Sequence, residues 1–406
     1  LLFVPIMAAY RGYFQGLQDM VPTAVSQIIE QFGRTVVGLL LALVLLKKGT
    51  EIAAAGASFG AAAGAITGAL MIIWIYQRRK KQIDLSIRTS AKYHQESAGR
   101  IIYRIFSIAI PITIGAAILP IMNMIDVAIV MRRLQAIGFS AEQANGLYGQ
   151  LTGMAAPLIN LPQILTASIG ISLVPAISDA NQRRNKNLVR ETVQAGTRVT
   201  LLIGLPAALG LIVLAEPIML LLYPLQRESA VGAASSLTIL GIGVVFLALV
   251  QTFTAILQGL GRQIIPVVNL FIGALFKIAA TFLLTGIYAI NVRGAAVGTV
   301  LAYGVAAFLN YLAVKRLTKT KFPIGDFVIK PLISVLAMSI SVLFVYGRIE
   351  ALSGNSIATL ASVVVGAIIF GLMLLATGAV KRTDFEMLPK GDKVAKMLSM
   401  IGLLRK

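Results

Sequence analysis

The segment "VPTAVSQIIEQFGRTVVGLLLALVLL", residues 21–46, decides the fold class because it is an apolar run that also carries two charges. A helix needs about 20 predominantly apolar residues to cross a bilayer, and this run is long enough. On a helix of 3.6 residues per turn, Thr23, Gln27, Glu30 and Arg34 fall within an arc of about 100°. The segment therefore predicts a transmembrane helix with one hydrophilic face.

The composition extends this prediction to the whole chain. Hydrophobic residues make up 57% of the 406 residues and charged residues only 13%, whereas soluble domains carry about 25% charged residues. The chain has no cysteine, which excludes disulfides, thiolate catalysis and cysteine-metal sites. The single histidine, His94, lies in a basic stretch and is interpreted as a solvated loop residue. No nucleophile–base constellation, Walker loop or metal cluster is visible, so we expect an all-α polytopic membrane protein that is not an enzyme and has no metal or cofactor.

Ten further apolar segments resemble the first in length and composition, although the one at the start of the chain is short. Internal prolines in several of them predict bent or tilted helices. The eleven segments cover residues 1–17, 21–46, 52–76, 101–131, 146–178, 196–222, 230–260, 264–288, 294–314, 328–347 and 356–380.

The loops between these segments alternate in charge. On one side of the membrane they contain 23 Lys and Arg residues and on the other side 7. Cytoplasmic loops carry the excess of basic residues in membrane proteins, so the richer side, which includes residues 77–100 and the C-terminus, is predicted to be cytoplasmic. This distribution also accounts for the net charge of +20 without a nucleic-acid partner, because the cations face anionic lipid headgroups.

Two parts of the chain share landmarks in the same order. Gln15-Gly16-Leu17 recurs as Gln258-Gly259-Leu260, followed by Pro22 and by Pro266. A Gly-x-x-x-Gly pair comes next in each part, at Gly56 and Gly60 in the first part and at Gly294 and Gly298 in the second. The repeat indicates two three-helix units with the same membrane orientation, as in two-lobed transporters.

Three helices precede the second copy and none precedes the first, so equivalent lobes predict a fragment with about eleven of fourteen transmembrane helices. The predicted organisation is the C-terminal half of an N-lobe, a basic cytoplasmic inter-lobe loop, a C-lobe, two additional C-terminal helices and a basic cytoplasmic tail. These parts cover residues 1–76, 77–100, 101–314, 315–380 and 381–406 respectively.

Charges inside the membrane are the candidate functional residues, because each costs about 2.5 to 3.5 kcal/mol at mid-bilayer on insertion scales. Glu30 and Arg34 are four residues apart and can pair within their own helix. This pair is either a structural strut or, with Gln27, the wall of a water-filled cavity. In the second copy, Lys277 follows Asn269 on one helix face and has no acidic neighbour there, so it needs a partner or a substrate anion.

Further polar residues complete the predicted site. Asp126, near Asn123, is either a cation or proton site or a partner for Lys277 or Arg198. Asn160 and Gln163 lie between prolines, which suggests a bend whose freed carbonyl groups line a cavity. Arg11 and Arg198 are candidates for contact with the substrate headgroup and are alternatively anchors at the membrane interface.

The segments "RGYFQGLQDMVPTAVSQIIEQ", "NLPQILTASIGISLVPAIS" and "QTFTAILQGLGRQIIPV" resemble the multidrug/oligosaccharidyl-lipid/polysaccharide exporter superfamily. Within it they are similar to the polysaccharide-transporter branch, especially the MurJ-type lipid II flippases and their sporulation stage V protein B-like relatives. The resemblance implies a bacterial cytoplasmic membrane flippase that moves a polyprenyl-pyrophosphate-linked saccharide by alternating access. It also implies a cationic central cavity for the pyrophosphate and a lipid-tail groove formed by residues 328–380.

An arginine that the family places in the second helix of the C-terminal lobe is absent from "GMAAPLINLP", where Pro157 and Asn160 stand instead. The predicted substrate is therefore lipid II or a related lipid-linked glycan, with transport coupled to an ion gradient or the membrane potential. Membrane lipids and cell-wall synthesis enzymes are the other expected partners. The alternatives are a cation-coupled multidrug exporter with an acidic cavity around Glu30 and Asp126, and a non-transporting membrane scaffold.

Overall fold

The computed structural model describes residues 3–17, 19–89, 97–323 and 325–379, which form helices joined by short turns. The chain divides into two compact units, Leu1–Tyr103 and Arg104–Lys406. His94 and the predicted tail, residues 381–406, lie outside the described residues. The described helices match the predicted all-α membrane architecture.

The first unit contains α1 (Phe3–Gly16), α2 (Val21–Leu45) and α3 (Thr50–Thr89), with a 3-10 turn at Leu46–Lys48. Pro22 lies in the first turn of α2, where its missing N–H costs no hydrogen bond. Small residues on α3 let α2 pack flush against it over most of its length. The apolar contact between α1 and α3 is built on the buried Met7 and Phe14.

The second unit begins with α4 (Ala98–Ala136), whose first turns belong to the first unit, and continues with α5 (Ala141–Gly149) and a π-helical turn (Gln150–Ala155). The next five helices enclose most of the core. They are α6 (Ala156–Gln182), α7 (Lys186–Val213), α8 (Ala215–Leu222), α9 (Arg227–Gly259) and α10 (Ile264–Thr285). They are followed by α11 (Arg293–Thr318). Because α9 packs against α6, α7, α8 and α11, it is the most buried of the membrane-length helices described.

The chain ends, within the described residues, in a short π-helical segment (Gly325–Ile329) and α12 (Lys330–Thr377). Helical geometry is interrupted in α12 at Gly354, which has φ 78° and ψ 171°, a backbone conformation that only glycine adopts without strain. The two halves pair with each other, since the Ser334 and Thr377 hydroxyl groups are 3.3 Å apart and Tyr346 donates to Asn355 at 2.9 Å. The two predicted C-terminal helices are therefore antiparallel halves of one interrupted element.

Eight helical segments within the described residues are long and apolar enough to cross a membrane, fewer than the eleven predicted. The first predicted segment forms α1, which has only 14 residues and is shorter than a membrane span. The segment 101–131 forms α4 but does not count among the eight. The last two predicted segments form the interrupted helix α12 and count once.

The basic stretch after the third span is more helical than predicted, because α3 continues through residues 77–89. Charged residues such as Lys and Arg are good helix formers, so leaving the apolar region does not end a helix. Arg79 pairs with Asp19 in the turn between α1 and α2, and Arg78 lies 4.2 Å from the ring centre of Trp74. The Arg79–Asp19 pair therefore joins the start of the extension to the turn between α1 and α2.

Candidate functional site

The first unit holds a cluster of three charged side chains that joins α1 to α2. Glu30 accepts a hydrogen bond from Arg11 at 3.0 Å through one carboxylate oxygen and one from Arg34 at 3.1 Å through the other. Arg11 also donates through Nε to the Ser26 hydroxyl group at 2.8 Å. Only 14% of the Arg11 side chain and 12% of the Glu30 side chain are exposed, compared with 46% for Arg34.

This geometry shows how the three charged residues predicted from the sequence are paired. Glu30 and Arg34 pair within α2 as predicted, and Arg11 completes a triad instead of extending to the membrane surface. At formal charges the triad carries one net positive charge. Arg11 and Glu30 form its shielded part, and Arg34 is its more exposed cation.

Glycines on α3 explain how the triad can lie against a neighbouring helix. A Cβ atom on Gly64 would lie 2.6 Å from the Glu30 carbonyl oxygen, and one on Gly60 would lie 2.6 Å from the Arg34 carbonyl oxygen. Real Cβ contacts are longer, so a larger residue at either position would separate the two helices. The glycine spacing seen in the sequence therefore serves close helix packing, and that packing holds the charged turn of α2 in place.

The second unit contains a matching ion pair between α4 and α10. Lys277 Nζ lies 2.9 Å from Asp126 Oδ2, and 14% and 13% of the two side chains are exposed. Of the alternatives for Asp126, the structure thus shows a partner for Lys277. The pair is formally neutral, which lowers the cost of burying either group in the membrane.

Arg34 and Lys277 occupy equivalent positions in their helix pairs. Gly60 of α3 packs against the carbonyl group of Arg34 on α2, and Gly298 of α11 packs against the carbonyl group of Lys277 on α10, at 3.1 Å from an added Cβ. In the sequence repeat, these two glycines are also equivalent. Each three-helix unit therefore presents one cation at the same point of the same helix, and a cavity shared by the two cations stays a prediction.

The remaining predicted residues are spread over different environments. Gln27, Asn123 and Asn160 are exposed, and Gln163 is half-buried. Asn269 donates to the buried Asn310 at 2.8 Å, which joins α10 to α11.

Arg198 is only 4% exposed, and its guanidinium lies 5.3 Å from the ring centre of Phe327. Arg11 is held by Glu30 and Ser26. The headgroup contacts predicted for Arg11 and Arg198 stay predictions, and each would require the cation to leave its present surroundings.

A π-helical turn, Gln150–Ala155, precedes Asn160 and Gln163 in the chain, and the bend predicted around these two residues stays a prediction. Pro157 has no N–H and its ring crowds the carbonyl group four residues before it, so the helix widens on the N-terminal side of the proline. That carbonyl, on Gly153, accepts a hydrogen bond from the Tyr223 hydroxyl at 3.5 Å. The freed group is thus paired within the protein, whereas α6 runs through Pro162 and Pro175 without a break.

Sequence reasoning missed Ser26 and the participation of Arg11 in the triad. The available signal was weak: Ser26 lies one helical turn before Glu30, on the same face of α2. Which helix would bring a cation to that face depends on the packing of α1 and cannot be read from α2. Among the described residues, no group of three His, Cys, Asp or Glu side chains is arranged to hold a metal ion.

An apolar groove of about 650 Å³ runs along the second unit between α12 and helices α6 to α8. Both halves of α12 contribute to it, through Met338 and Val342 on the first and Phe370 on the second. The groove walls are almost entirely aliphatic or aromatic, and the remaining lining residues are Leu158, Leu161, Pro162, Leu165, Ile203, Pro206, Ala207, Gly210, Leu211, Leu214, Ile218, Val363, Gly366 and Ala367.

Comparison with known families gives two matches along the chain. Residues 1–181 match the family model described as polysaccharide biosynthesis protein, and residues 111–283 match the MatE model.

Three relatives from Bacillus subtilis are similar over most of the chain. The uncharacterized membrane protein YabM is 27% identical over 98% of this chain and 74% of its own length. Stage V sporulation protein B is 26% identical over 95% of this chain and 73% of its own length. The lipid II flippase MurJ is 30% identical over 78% of this chain and 58% of its own length.

A solved structure titled as the lipid II flippase MurJ in an inward closed conformation has the same fold. It superposes with a TM-score of 0.62 at 18% identity, over 91% of this chain and 70% of the other. Together with the membrane-length helices, these similarities show a multi-pass membrane protein of transporter architecture.

Proposed function

The chain belongs to the multidrug/oligosaccharidyl-lipid/polysaccharide exporter superfamily, and from this premise we propose that it is a flippase for a polyprenyl-pyrophosphate-linked saccharide. The first candidate substrate is the peptidoglycan precursor lipid II, because the lipid II flippase MurJ and stage V sporulation protein B are similar to this chain over 78% and 95% of its length. We propose that transport proceeds by alternating access in the bacterial cytoplasmic membrane, with the C-terminus on the cytoplasmic side.

The observation that carries this proposal is the Arg11–Glu30–Arg34 triad with its net positive charge. A pyrophosphate is a strong anion, and guanidinium groups bind phosphate oxygens through paired hydrogen bonds. Arg34 has the exposed surface needed for such a contact, while its bond to Glu30 keeps it oriented. Lys277 is the equivalent cation of the second unit and becomes available when a substrate anion replaces Asp126.

The apolar groove along α12 suits the other end of the same substrate. A polyprenyl tail is a long hydrocarbon, and each CH₂ group removed from water contributes about 0.8 kcal/mol. The groove is open to the outside of the second unit and offers aliphatic walls on both sides. The combination of an intramembrane cation and an apolar groove favours an anionic amphiphile as the substrate.

The organic-cation alternative fits the charges less well. A drug-cation site needs unpaired carboxylates, but both intramembrane carboxylates that were candidates for it have basic partners. Glu30 has two, and Asp126 has one. The local charge is positive in the first case and neutral in the second, so neither position attracts a cation.

The test is complementation of a bacterium depleted of its own lipid II flippase by the full-length protein, with externally accessible lipid II as the readout. We expect growth, and we expect Arg34→Ala and Lys277→Ala each to reduce accessible lipid II by about tenfold or more, the loss that follows from one charge-assisted hydrogen bond. Arg132→Ala is the matched control, since Arg132 is an exposed cation at the end of α4.

Two outcomes would contradict the proposal at different levels. A membrane-inserted, well-expressed protein that restores no accessible lipid II would exclude lipid II and direct attention to another lipid-linked glycan. Rescue that is unchanged by both alanine variants would refute the assignment of Arg34 and Lys277 to substrate binding.

A further inference from the structure

A cavity of about 300 Å³ lies at one end of the second unit, where α6, α9 and α11 end and α7 begins. It involves neither the intramembrane ion pair nor the apolar groove. On α10, Lys277 is about 20 Å along the helix axis from the end nearest this cavity, at 1.5 Å per residue. The lining residues are Ala180, Asn181, Arg184, Asn185, Lys186, Val189, Arg190, Leu260, Leu317, Thr318 and Lys319.

Four of the lining residues are cations, and none of them has an anionic partner among the described residues. Within the described ranges, the side chains of Arg184, Lys186 and Lys319 form no ion pair or hydrogen bond. Arg190 donates to the Thr318 carbonyl group at 3.1 Å. The nearby Asp179 is already paired with Arg183 at 3.0 Å. The cavity therefore concentrates positive charge that nothing in the described protein neutralises.

The backbone at this site has an uncommon conformation at two of these cations. Arg184 and Lys319 both have positive φ, at 54° and 55°, and each follows the last turn of a helix. Glycine is the usual residue at this position because it adopts the left-handed conformation without steric cost. A cation at both positions sacrifices local stability, and strain of this kind is found where a side chain has a binding role.

The surroundings indicate the class of ligand. Leu317 is 45% exposed beside the cations, and Leu260 and Val189 complete an apolar wall. Cations next to exposed leucine at the ends of membrane-spanning helices match the boundary between headgroups and acyl chains. The charge distribution of the loops predicts that this end faces the cytoplasm.

We infer that this cavity binds the phosphate group of an anionic phospholipid of the membrane leaflet it faces, such as phosphatidylglycerol. The headgroup phosphate would contact Arg184, Lys186 and Lys319, and an acyl chain would lie along Leu317. A soluble phosphate compound has the same charge but makes no use of the apolar wall.

The experiment is native mass spectrometry of the purified protein released from micelles that contain equal amounts of phosphatidylglycerol and phosphatidylcholine. We expect the protein to retain phosphatidylglycerol preferentially. The double variant Arg184→Gly with Lys319→Gly should weaken its retention by about tenfold or more, since each cation near an anionic surface contributes several-fold in affinity.

The same double variant should unfold at an equal or higher denaturant concentration, because glycine relieves the backbone strain at both helix ends. A second variant, Arg184→Gln with Lys319→Gln, removes the charges without this backbone effect and should lose the lipid equally. The matched control is Arg262→Gln with Arg316→Gln, which removes two exposed cations near the same end of the unit but outside the cavity.

Equal losses in the cavity and control variants would overturn the inference in favour of general surface attraction. Equal retention of the two lipids by the unaltered protein would overturn it as well. Displacement of phosphatidylglycerol by millimolar inorganic phosphate would assign the cavity to soluble phosphates instead of a lipid.

Discussion

Replacing Glu30 by Gln tests the charged triad of the first unit directly. The change preserves the shape of the side chain but removes the negative charge that both arginines share. Arg11, which is 14% exposed, would keep only its hydrogen bond to Ser26, while Arg34 is 46% exposed and can reach solvent or headgroups. The two halves of the triad should therefore contribute very different amounts to stability.

The magnitudes follow from these exposures. Removing one partner of a buried ion pair costs about 3–5 kcal/mol, and the residual exposure of Arg11 and Glu30 places Glu30→Gln at the lower end, about 3 kcal/mol. The exposed Arg34–Glu30 pair, four residues apart on one helix, is worth about 0.3–0.5 kcal/mol. We therefore expect Arg34→Gln to change the free energy of unfolding about six- to tenfold less than Glu30→Gln.

The assay uses the only tryptophan of the chain. Trp74 lies on α3 in the first unit, so its fluorescence reports unfolding of that unit during a denaturant titration in detergent. A double-mutant cycle of Arg11→Gln and Glu30→Gln should give a coupling energy above about 1.5 kcal/mol, the net value of a hydrogen bond to a charged group.

Two results would refute this reasoning. One is a Glu30→Gln variant whose stability loss is no larger than that of Arg34→Gln. The other is a coupling energy below about 0.5 kcal/mol between Arg11 and Glu30, which is the scale of an exposed pair.

Three further predictions concern other parts of the molecule. Gly64→Ala should destabilise the first unit by about 1–3 kcal/mol through overpacking against the Glu30 carbonyl, whereas Gly12→Ala, with nothing within 4 Å, should not lower the Trp74 unfolding midpoint. Asp126→Asn should destabilise the second unit, as measured by faster amide hydrogen exchange in α10. Adding Lys277→Met should recover most of the lost stability because it removes the uncompensated buried charge. If stability is not recovered, the ion pair is not the source of the effect. Ala367→Trp should slow the flipping of long-chain polyprenyl substrates more than the flipping of short-chain analogues, because the indole fills the groove along α12. Ile368 is exposed outside the groove, so Ile368→Trp should affect both substrates alike.

Much of the architecture could be read from the sequence because a bilayer imposes a simple rule on it. Backbone groups in hydrocarbon must be hydrogen-bonded internally, so long apolar runs such as residues 230–260 have to form helices. The positions of these runs agree with the helices within about a turn in most cases. The exceptions are α3, which a charged stretch prolongs to Thr89, and α7, which begins at Lys186, ten residues before the predicted segment. Both extensions are made of polar and charged residues, whose helical state hydrophobicity does not constrain.

The ion pairs also differ in whether the sequence alone could predict them. Glu30 and Arg34 are neighbours on one helix, and their pairing follows from the 3.6-residue period alone. The contacts of Arg11 with Glu30 and of Asp126 with Lys277 join helices far apart in sequence. Their formation depends on how closely α1 approaches α2 and α4 approaches α10, which only the packing of the helices decides.

The sequence by itself thus determined the membrane-spanning helical class, the repeated cation on α2 and α10, and the need of Lys277 for a partner. Only the tertiary structure decided which carboxylate pairs with which cation, that the Tyr223 hydroxyl donates to the Gly153 carbonyl group before Pro157, and that cations without ion-pair partners in the described part of the chain lie with Leu317 at one end of the second unit. The physical reason is that periodicity and burial act locally along the chain, whereas charge pairing depends on distances of a few ångströms between elements that only packing brings together.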